Sequence, residues 1–136
     1  MVTFLWRANG CPEPIETTCE FWDVDMNSYY GKAVLWALEA GITNGTTDTT
    51  FSPADSCTRG QMATFLARMT NGKAMEPDSP FVDVPPSAYY SASVQWAVEN
   101  GVTTGTTPTT YSPDSSCTRA QMVTFLYRLL AEDCQN

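Results

Sequence analysis

The segment CTRGQMATFLARM, Cys57–Met69, recurs 60 residues later as CTRAQMVTFLYRL, Cys117–Leu129. Its second half also opens the chain as MVTFLWR, Met1–Arg7. A segment that recurs at a fixed spacing is the signature of a repeat protein. The chain is therefore interpreted as an array of similar units before any single element is assigned.

Each full copy of the segment carries the signals of a helix start. Thr58 and Gln61 have the spacing of a capping box, and Thr118 and Gln121 repeat it. In a capping box the Thr hydroxyl accepts a hydrogen bond from a first-turn N–H, and the Gln side chain accepts one from the N–H of the cap. Apolar residues then follow at helical spacing. Helices are predicted over about 58–70 and 118–131.

An arginine follows each cap, Arg59 in the first copy and Arg119 in the second. A cation at the positive end of a helix dipole costs about 0.3–1 kcal/mol. Arginine beside the free N–H groups of a helix start makes a good anion site. The alternative is an ion pair with a nearby carboxylate such as Asp55 or Asp114. The residue types leave both interpretations open.

The rest of the chain fits two complete units and one half unit. FWDV at 21–24 matches FVDV at 81–84, and the Trp-bearing helix predicted at about 28–40 has a counterpart 60 residues on. A threonine-rich loop follows in each unit. The resulting division is a half repeat 1–10, a linker 11–20, a repeat 21–71, a linker 72–80, a repeat 81–131 and a tail 132–136. Such units usually need about three stacked copies to bury their apolar faces.

Composition excludes several classes of function. The chain of 136 residues is 43% hydrophobic, with net charge −8 and a pI near 4.2, so we expect a globular domain with no nucleic-acid partner. Without a run of 18 apolar residues we expect no membrane insertion. MVTFLWRANG lacks the basic start and long apolar centre of a secretion signal, so no export signal is expected.

No catalytic, cofactor or metal site is predicted. The chain has five cysteines without a C-x-x-C pair, and it has no histidine, which removes zinc sites and Ser–His or Cys–His pairs. The segment from Asp23 to Asn27 opens like a calcium loop, but Ser28 stands at its sixth position and Val34 at its twelfth. We therefore predict that the protein is not an enzyme.

The order of motifs resembles the S-layer homology family of Gram-positive cell-surface modules. The matching features are F-x-D-V, the Tyr-Tyr and Trp-Ala helix, Gly-Ile/Val-Thr-x-Gly, Phe/Tyr-Ser-Pro and Thr-Arg-Ala/Gly-Gln, each present in both units. The family signature has Glu where Gln61 and Gln121 stand, and Ala where Gly60 stands.

The resemblance implies an all-α fold in which helix-loop-helix repeats with long irregular loops surround a pseudo-threefold three-helix bundle. The central helices are expected at about 1–9, 58–70 and 118–131, in a single domain over 1–136. The Trp-bearing helices would stand outside as prongs, with one prong missing and two grooves complete.

The resemblance also implies a function, the non-covalent anchoring of proteins at the bacterial cell wall or S-layer. Its expected partner is secondary cell-wall polysaccharide, often carrying a pyruvate ketal. The arginines would bind a ketal carboxylate and the aromatic rings would stack on sugars. For the two tryptophans, core packing is the favoured alternative. The residues expected to bind glycan are Arg59, Arg119, Thr58, Thr118, Gln61, Gln121, Trp36, Trp96, Asp23, Asp83, Tyr30 and Tyr90.

A structural role is the rival hypothesis. A partner chain could fill the missing prong and produce self-association. Cys57 and Cys117 are expected to be small buried apolar residues. In an oxidising environment, Cys134 is expected to pair with either Cys11 or Cys19.

Overall fold

The computed structural model describes residues 1–72 and 80–135, with side chains as far as Leu130. Apart from one isolated antiparallel bridge between Thr58 and Ser116, the regular structure in these ranges is helical, which confirms the predicted all-α class. None of these helices is long and apolar enough to cross a bilayer. The helices are α1 Val2–Ala8, α2 Gly31–Glu39, α3 Arg59–Met69, α4 Ser91–Glu99 and α5 Arg119–Gln135.

The helix ends follow the local signals in the sequence. Helix α1 stops at Ala8, where Gly10 turns the chain with φ +83°, and α2 stops before Gly41 with φ +73°. Both ends lie within one residue of the predicted ends at about 9 and 40, whereas α5 continues to Gln135, beyond its predicted end at about 131. The start of α2 was predicted three residues too early. Asp25 accepts hydrogen bonds from the Asn27 N–H and the Ser28 N–H, so these residues form a turn instead.

The chain forms two compact units, Met1–Asp55 and Ser56–Asn136. In the first unit α1 packs against α2, and the buried side chains include Leu5, Val34 and Ile42. In the second unit α3 packs against α4. The single domain and its pseudo-threefold bundle of α1, α3 and α5 stay predictions.

Helix packing crosses the boundaries of the sequence repeats. Helix α1 belongs to the half repeat but packs against α2 of the first complete repeat, and α3 of that repeat packs against α4 of the next. Helices α1 and α3 are therefore each covered by the Trp-bearing helix of the repeat that follows. The units of packing are displaced from the units of sequence.

A carboxylate fixes the loop of each repeat. Asp23 Oδ1 and Oδ2 accept the N–H groups of Phe51 and Ser52 at 2.9 and 2.7 Å. Asp83 does the same for Tyr111 and Ser112 at 2.9 and 2.8 Å. The two serines have φ of +60° and +59°, which costs a non-glycine residue free energy unless its surroundings hold it. The aspartates therefore set the path of the loop that leads to each capped helix.

The candidate functional site

Both predicted capping boxes are present. The Gln61 N–H donates to Thr58 Oγ1 at 3.1 Å, and the Thr58 N–H donates to Gln61 Oε1 at 2.9 Å. Thr118 and Gln121 repeat both bonds at the same distances. Gln thus completes the box without a carboxylate. These four side-chain oxygens hold the helix starts, which leaves less of their hydrogen-bonding capacity for a ligand.

Arg59 is buried, with 4% of its surface exposed. Its Nε donates to the carbonyl oxygen of Tyr111 at 2.8 Å. The guanidinium carbon lies 4.5 Å from the ring centroid of Tyr111 and 5.5 Å from that of Phe125, within cation–π range. This environment differs from the expected alternative of an ion pair with Asp55 or Asp114. Two aromatic faces and a backbone carbonyl solvate the cation instead.

The contact between Arg59 and Tyr111 is reciprocal. The Tyr111 hydroxyl donates to the carbonyl oxygen of Arg59 at 3.0 Å, while only 1% of the Tyr111 surface is exposed. Burial raises the pKa of Tyr111 to about 12, against the smaller opposing effect of the Arg59 charge. The hydroxyl is therefore a neutral donor at physiological pH. Together the two side chains join the start of α3 to the loop before α5.

Arg119 occupies the same position in the second copy but is exposed. Its neighbour Ala120 is exposed as well, whereas the equivalent Gly60 is buried. One motif therefore occurs in two environments, one enclosed by aromatic rings and one open to solvent.

A pair of tyrosines lies beside the start of α3. A Cβ at Gly60 would come within 3.0 Å of Tyr90 Cδ1, so the glycine makes room for this ring. Tyr90 is half-buried and meets Tyr89 edge-on with ring centroids 5.1 Å apart. Tyr89 is 65% exposed. Burial raises the pKa of Tyr89, and a hydrogen bond with the Thr58 side chain opposes that rise, which places Tyr89 against the cap.

The tryptophans, Tyr30 and Asp23, which the sequence also predicts to bind glycan, are partly or fully buried or lie in the first compact unit. Trp96 is 9% exposed, and a Cβ at Gly72 would lie 2.6 Å from its indole nitrogen, which fits the core-packing alternative. Trp36 and Tyr30 are half-buried. They lie with Asp23 in the first unit, and Arg59 lies in the second. Glycan binding by Trp36, Tyr30 and Asp23 therefore stays a prediction.

Several side chains at these positions were not predicted from the sequence. Tyr111 and Phe125 enclose Arg59 although they lie far from it in the chain. The exposed rings of Tyr29 and Tyr89, rather than their half-buried neighbours, offer surface to a ligand. Trp22, 77% exposed, was missed as well. The sequence offered one signal for the tyrosines, which was their position, because Tyr29 and Tyr89 occupy equivalent places in the two repeats.

Two further observations bear on the chemistry. Burial raises the pKa of the Cys57 thiol to about 12 and also raises that of Cys117. Within residues 1–72 and 80–130, no group of three or more acidic or cysteine side chains is arranged to hold a metal ion. The predicted pairing of Cys134 with Cys11 or Cys19 lies outside the described residues, since the side chain of Cys134 is not among them.

Comparison with known proteins identifies the repeats. The model of the S-layer homology domain matches residues 20–63 and 80–123. An endoglucanase of Bacillus sp. (strain KSM-635) is 36% identical over 108 residues, which cover 79% of this chain and 11% of that protein.

Two surface proteins are similar as well. A cell surface protein of Thermoanaerobacter kivui is 31% identical over 118 residues, which cover 83% of this chain and 16% of that protein. The surface-layer 125 kDa protein of Lysinibacillus sphaericus is 28% identical over 114 residues, 83% of this chain and 10% of that protein. The chain thus spans only a small part of each relative. Both repeats nonetheless match the same model, and the chain belongs to the S-layer homology domain family of non-catalytic modules of the bacterial cell wall and surface.

Proposed function

We propose that this cell-surface module anchors a protein by binding secondary cell-wall polysaccharide through the exposed helix start at Arg119. The observation that carries the proposal is the difference in exposure between the two arginines. Arg119 presents a guanidinium beside the N–H groups of a capped helix start, an arrangement that binds carboxylates. A pyruvate ketal on the glycan would supply such a carboxylate.

Arg59 has a different role in this proposal. Its cation already contacts two rings and a carbonyl, so it positions the loop at 111–115 rather than meeting the ligand. Tyr89, exposed beside the cap of α3, supplies an aromatic face on which a sugar ring can stack. The carboxylates of Asp23 and Asp83 hold their loops, and we assign them no contact with the glycan.

Cosedimentation with isolated Gram-positive walls tests this function. Wild-type protein should pellet with walls and should stay in solution after the secondary polysaccharide is removed chemically. Arg119→Ala should weaken binding by about tenfold or more, the loss expected for a charged hydrogen-bonded contact. Arg128→Ala removes another exposed charge from the same helix, together with a 3.4 Å hydrogen bond to the Val102 carbonyl oxygen, and is the matched control.

Circular dichroism must show that each variant is folded. Equal binding by Arg119→Ala and wild type would remove Arg119 from the site. Absence of binding by folded wild-type protein to walls of several species would overturn the polysaccharide proposal.

A second candidate function is self-association, and the exposed face of α5 favours it. On α3 the face formed by Gly60, Ala63, Thr64 and Ala67 is buried. The corresponding face of α5, formed by Ala120, Val123, Thr124 and Tyr127, is exposed, with Val123 at 50% and Tyr127 at 72%. A Trp-bearing helix from a second copy of the chain could cover this face as α4 covers α3.

Sedimentation velocity over a range of concentrations tests this candidate. Concentration-dependent association that Val123→Glu abolishes would support it. A monomer at every concentration would exclude it, and polysaccharide binding by that monomer would leave the first proposal intact.

A further inference from the structure

Cys57 and Cys117 stand directly opposite each other across the isolated bridge of the second unit. Thr58 pairs with Ser116 in antiparallel fashion. The Cys117 N–H donates to the Cys57 carbonyl oxygen at 2.7 Å, and the Arg59 N–H donates to the Ser115 carbonyl oxygen at 2.9 Å. Opposed residues of an antiparallel pair project their side chains to the same face. The two thiols therefore share one side of the bridge.

The surroundings of the two sulfurs agree with that arrangement. The charge of either ionised thiol would raise the pKa of Tyr111, and that of Cys117 would raise the pKa of Cys57, as expected for sulfurs that lie near each other and near Tyr111. Cys117 is buried at 6% exposure, and Cys57 is half-buried with its Sγ donating to the Thr58 carbonyl oxygen at 3.5 Å. Both are free thiols in this structure. Burial keeps both thiols protonated and neutral at physiological pH, and an uncharged disulfide is likewise compatible with this position.

The backbone spacing permits a covalent link. The Cα atoms of a hydrogen-bonded antiparallel pair lie about 5.5 Å apart. Disulfides span Cα separations of roughly 4.4–6.8 Å, most often about 5.5–6 Å. The Cβ atoms of a disulfide lie about 3.8 Å apart and those of a hydrogen-bonded pair about 5.5 Å apart, so closure draws them together by roughly 1.5 Å. A bridge of one residue pair, without long strands on either side, allows that adjustment.

We propose that Cys57 and Cys117 form a disulfide that joins the starts of α3 and α5. A low-molecular-weight disulfide, such as oxidised glutathione, is the oxidant. Because burial raises the pKa of Cys57 to about 12, the step needs alkaline pH, where the more accessible Cys57 thiolate attacks one sulfur of the oxidant and expels one glutathione thiolate, which leaves a mixed disulfide. The Cys117 thiolate then attacks the Cys57 sulfur and expels the second. Two thiols lose two protons and two electrons, and one oxidised glutathione becomes two reduced molecules.

The link would close a large loop and fix the surroundings of Arg59. The chain between the two cysteines includes α3, α4 and the loop that carries Tyr111, so crosslinking removes much entropy from the unfolded state. It also ties together the two segments that Arg59 and Tyr111 join by hydrogen bonds. The inference concerns the scaffold and holds whether or not the module binds polysaccharide.

Peptide mapping tests the link directly. The chain is incubated with oxidised glutathione in alkaline buffer, denatured in the presence of an alkylating agent so that buried thiols also react, and digested with trypsin without reduction. Each tryptic peptide of interest contains one of the two cysteines, 33–59 for Cys57 and 74–119 for Cys117. We expect these peptides to be joined, with a loss of about two hydrogen masses. The melting temperature should rise by roughly 10 °C on oxidation.

Variants separate this link from other cysteine chemistry. Cys57→Ser and Cys117→Ser should each abolish the joined peptide and the rise in melting temperature. Cys11→Ser, which replaces an exposed cysteine, should change neither. Recovery of both peptides fully alkylated, or either peptide joined to 8–32 or 129–136 instead, would overturn the proposal.

Discussion

The starts of α3 and α5 have nearly the same sequence and the same capping box, but their arginines meet different environments. Arg59 is enclosed by Tyr111 and Phe125, and its first turn is covered by the Tyr90 ring. Arg119 and its neighbour Ala120 are exposed. The local motif thus determines where a helix begins. The loop and helix of the following repeat determine whether its arginine is a structural cation or an available one.

The largest expected contrast is between Arg59→Ala and Arg119→Ala. Loss of Arg59 removes a buried cation–π contact and a charged hydrogen bond and leaves space between two rings, so the free energy of unfolding should fall by about 2–4 kcal/mol. Loss of the exposed Arg119 should change it by less than about 0.5 kcal/mol. Urea denaturation followed by circular dichroism measures both. Equal losses would show that the two helix starts are equivalent in solution.

A smaller contrast is expected for removal of one hydroxyl. Tyr111→Phe removes the buried hydrogen bond that the hydroxyl donates to the Arg59 carbonyl oxygen and should cost about 1–2 kcal/mol. Tyr127→Phe makes the same chemical change on α5, where the side chain is 72% exposed, and should have little effect. Thermal melts of the two variants compare them. A Tyr111→Phe variant as stable as wild type would mean that this hydroxyl does not hold α3.

The exchange of Gly60 and Ala120 should produce a still smaller difference. Ala120→Gly, at an exposed helical position, should lower stability by up to about 1 kcal/mol. Gly60→Ala should give no matching gain, because the new Cβ would press on Tyr90 at 3.0 Å and offset the better helix propensity. Denaturant titration of both variants measures the asymmetry. A full gain at Gly60 would mean that the Tyr90 ring moves freely.

The smallest expected effect concerns Asp23, whose carboxylate accepts the hydrogen bonds that fix the loop of the first repeat. Desolvation acts to raise the pKa of Asp23, but hydrogen bonds from Phe51 and Ser52 hold it below its ordinary value of 3.8. Because the folded-state pKa is the lower one, the carboxylate stabilises the fold above pH 3.8 and this contribution is lost as pH falls through the folded value. Asp23→Asn should therefore melt below wild type at neutral pH.

Melting temperatures at acid pH distinguish the loss of these hydrogen bonds from a general effect of removing one charge. The gap in melting temperature between Asp23→Asn and wild type should narrow below pH 3.8. Asp48→Asn, at an exposed position in the same loop, should show no gap at any pH. A difference in melting temperature between Asp23→Asn and wild type that stays constant across the acid range would contradict this role of the Asp23 carboxylate.

Local signals explain what could be predicted from the sequence. The capping boxes at Thr58 and Thr118 and the helix stop at Gly41 depend on residues within one turn of each other. The aromatic enclosure of Arg59 could not be predicted in this way, because Tyr111 lies 52 residues away and in another repeat. The start of α2 was misplaced because the turn at Asp25 and Ser28 competes with helix formation.

The helices pack in pairs that cross the boundaries of the sequence repeats, and these pairs determine where the chain can be divided. A cut at the sequence boundary near residue 72 would separate α3 from α4, the pair that packs together. A cut between Asp55 and Ser56 would instead leave α1 with α2 and α3 with α4. Fragments and domain fusions should therefore begin just before a Cys-Thr-Arg segment rather than at the F-x-D-V motif, so that the unit transplanted is the unit that packs.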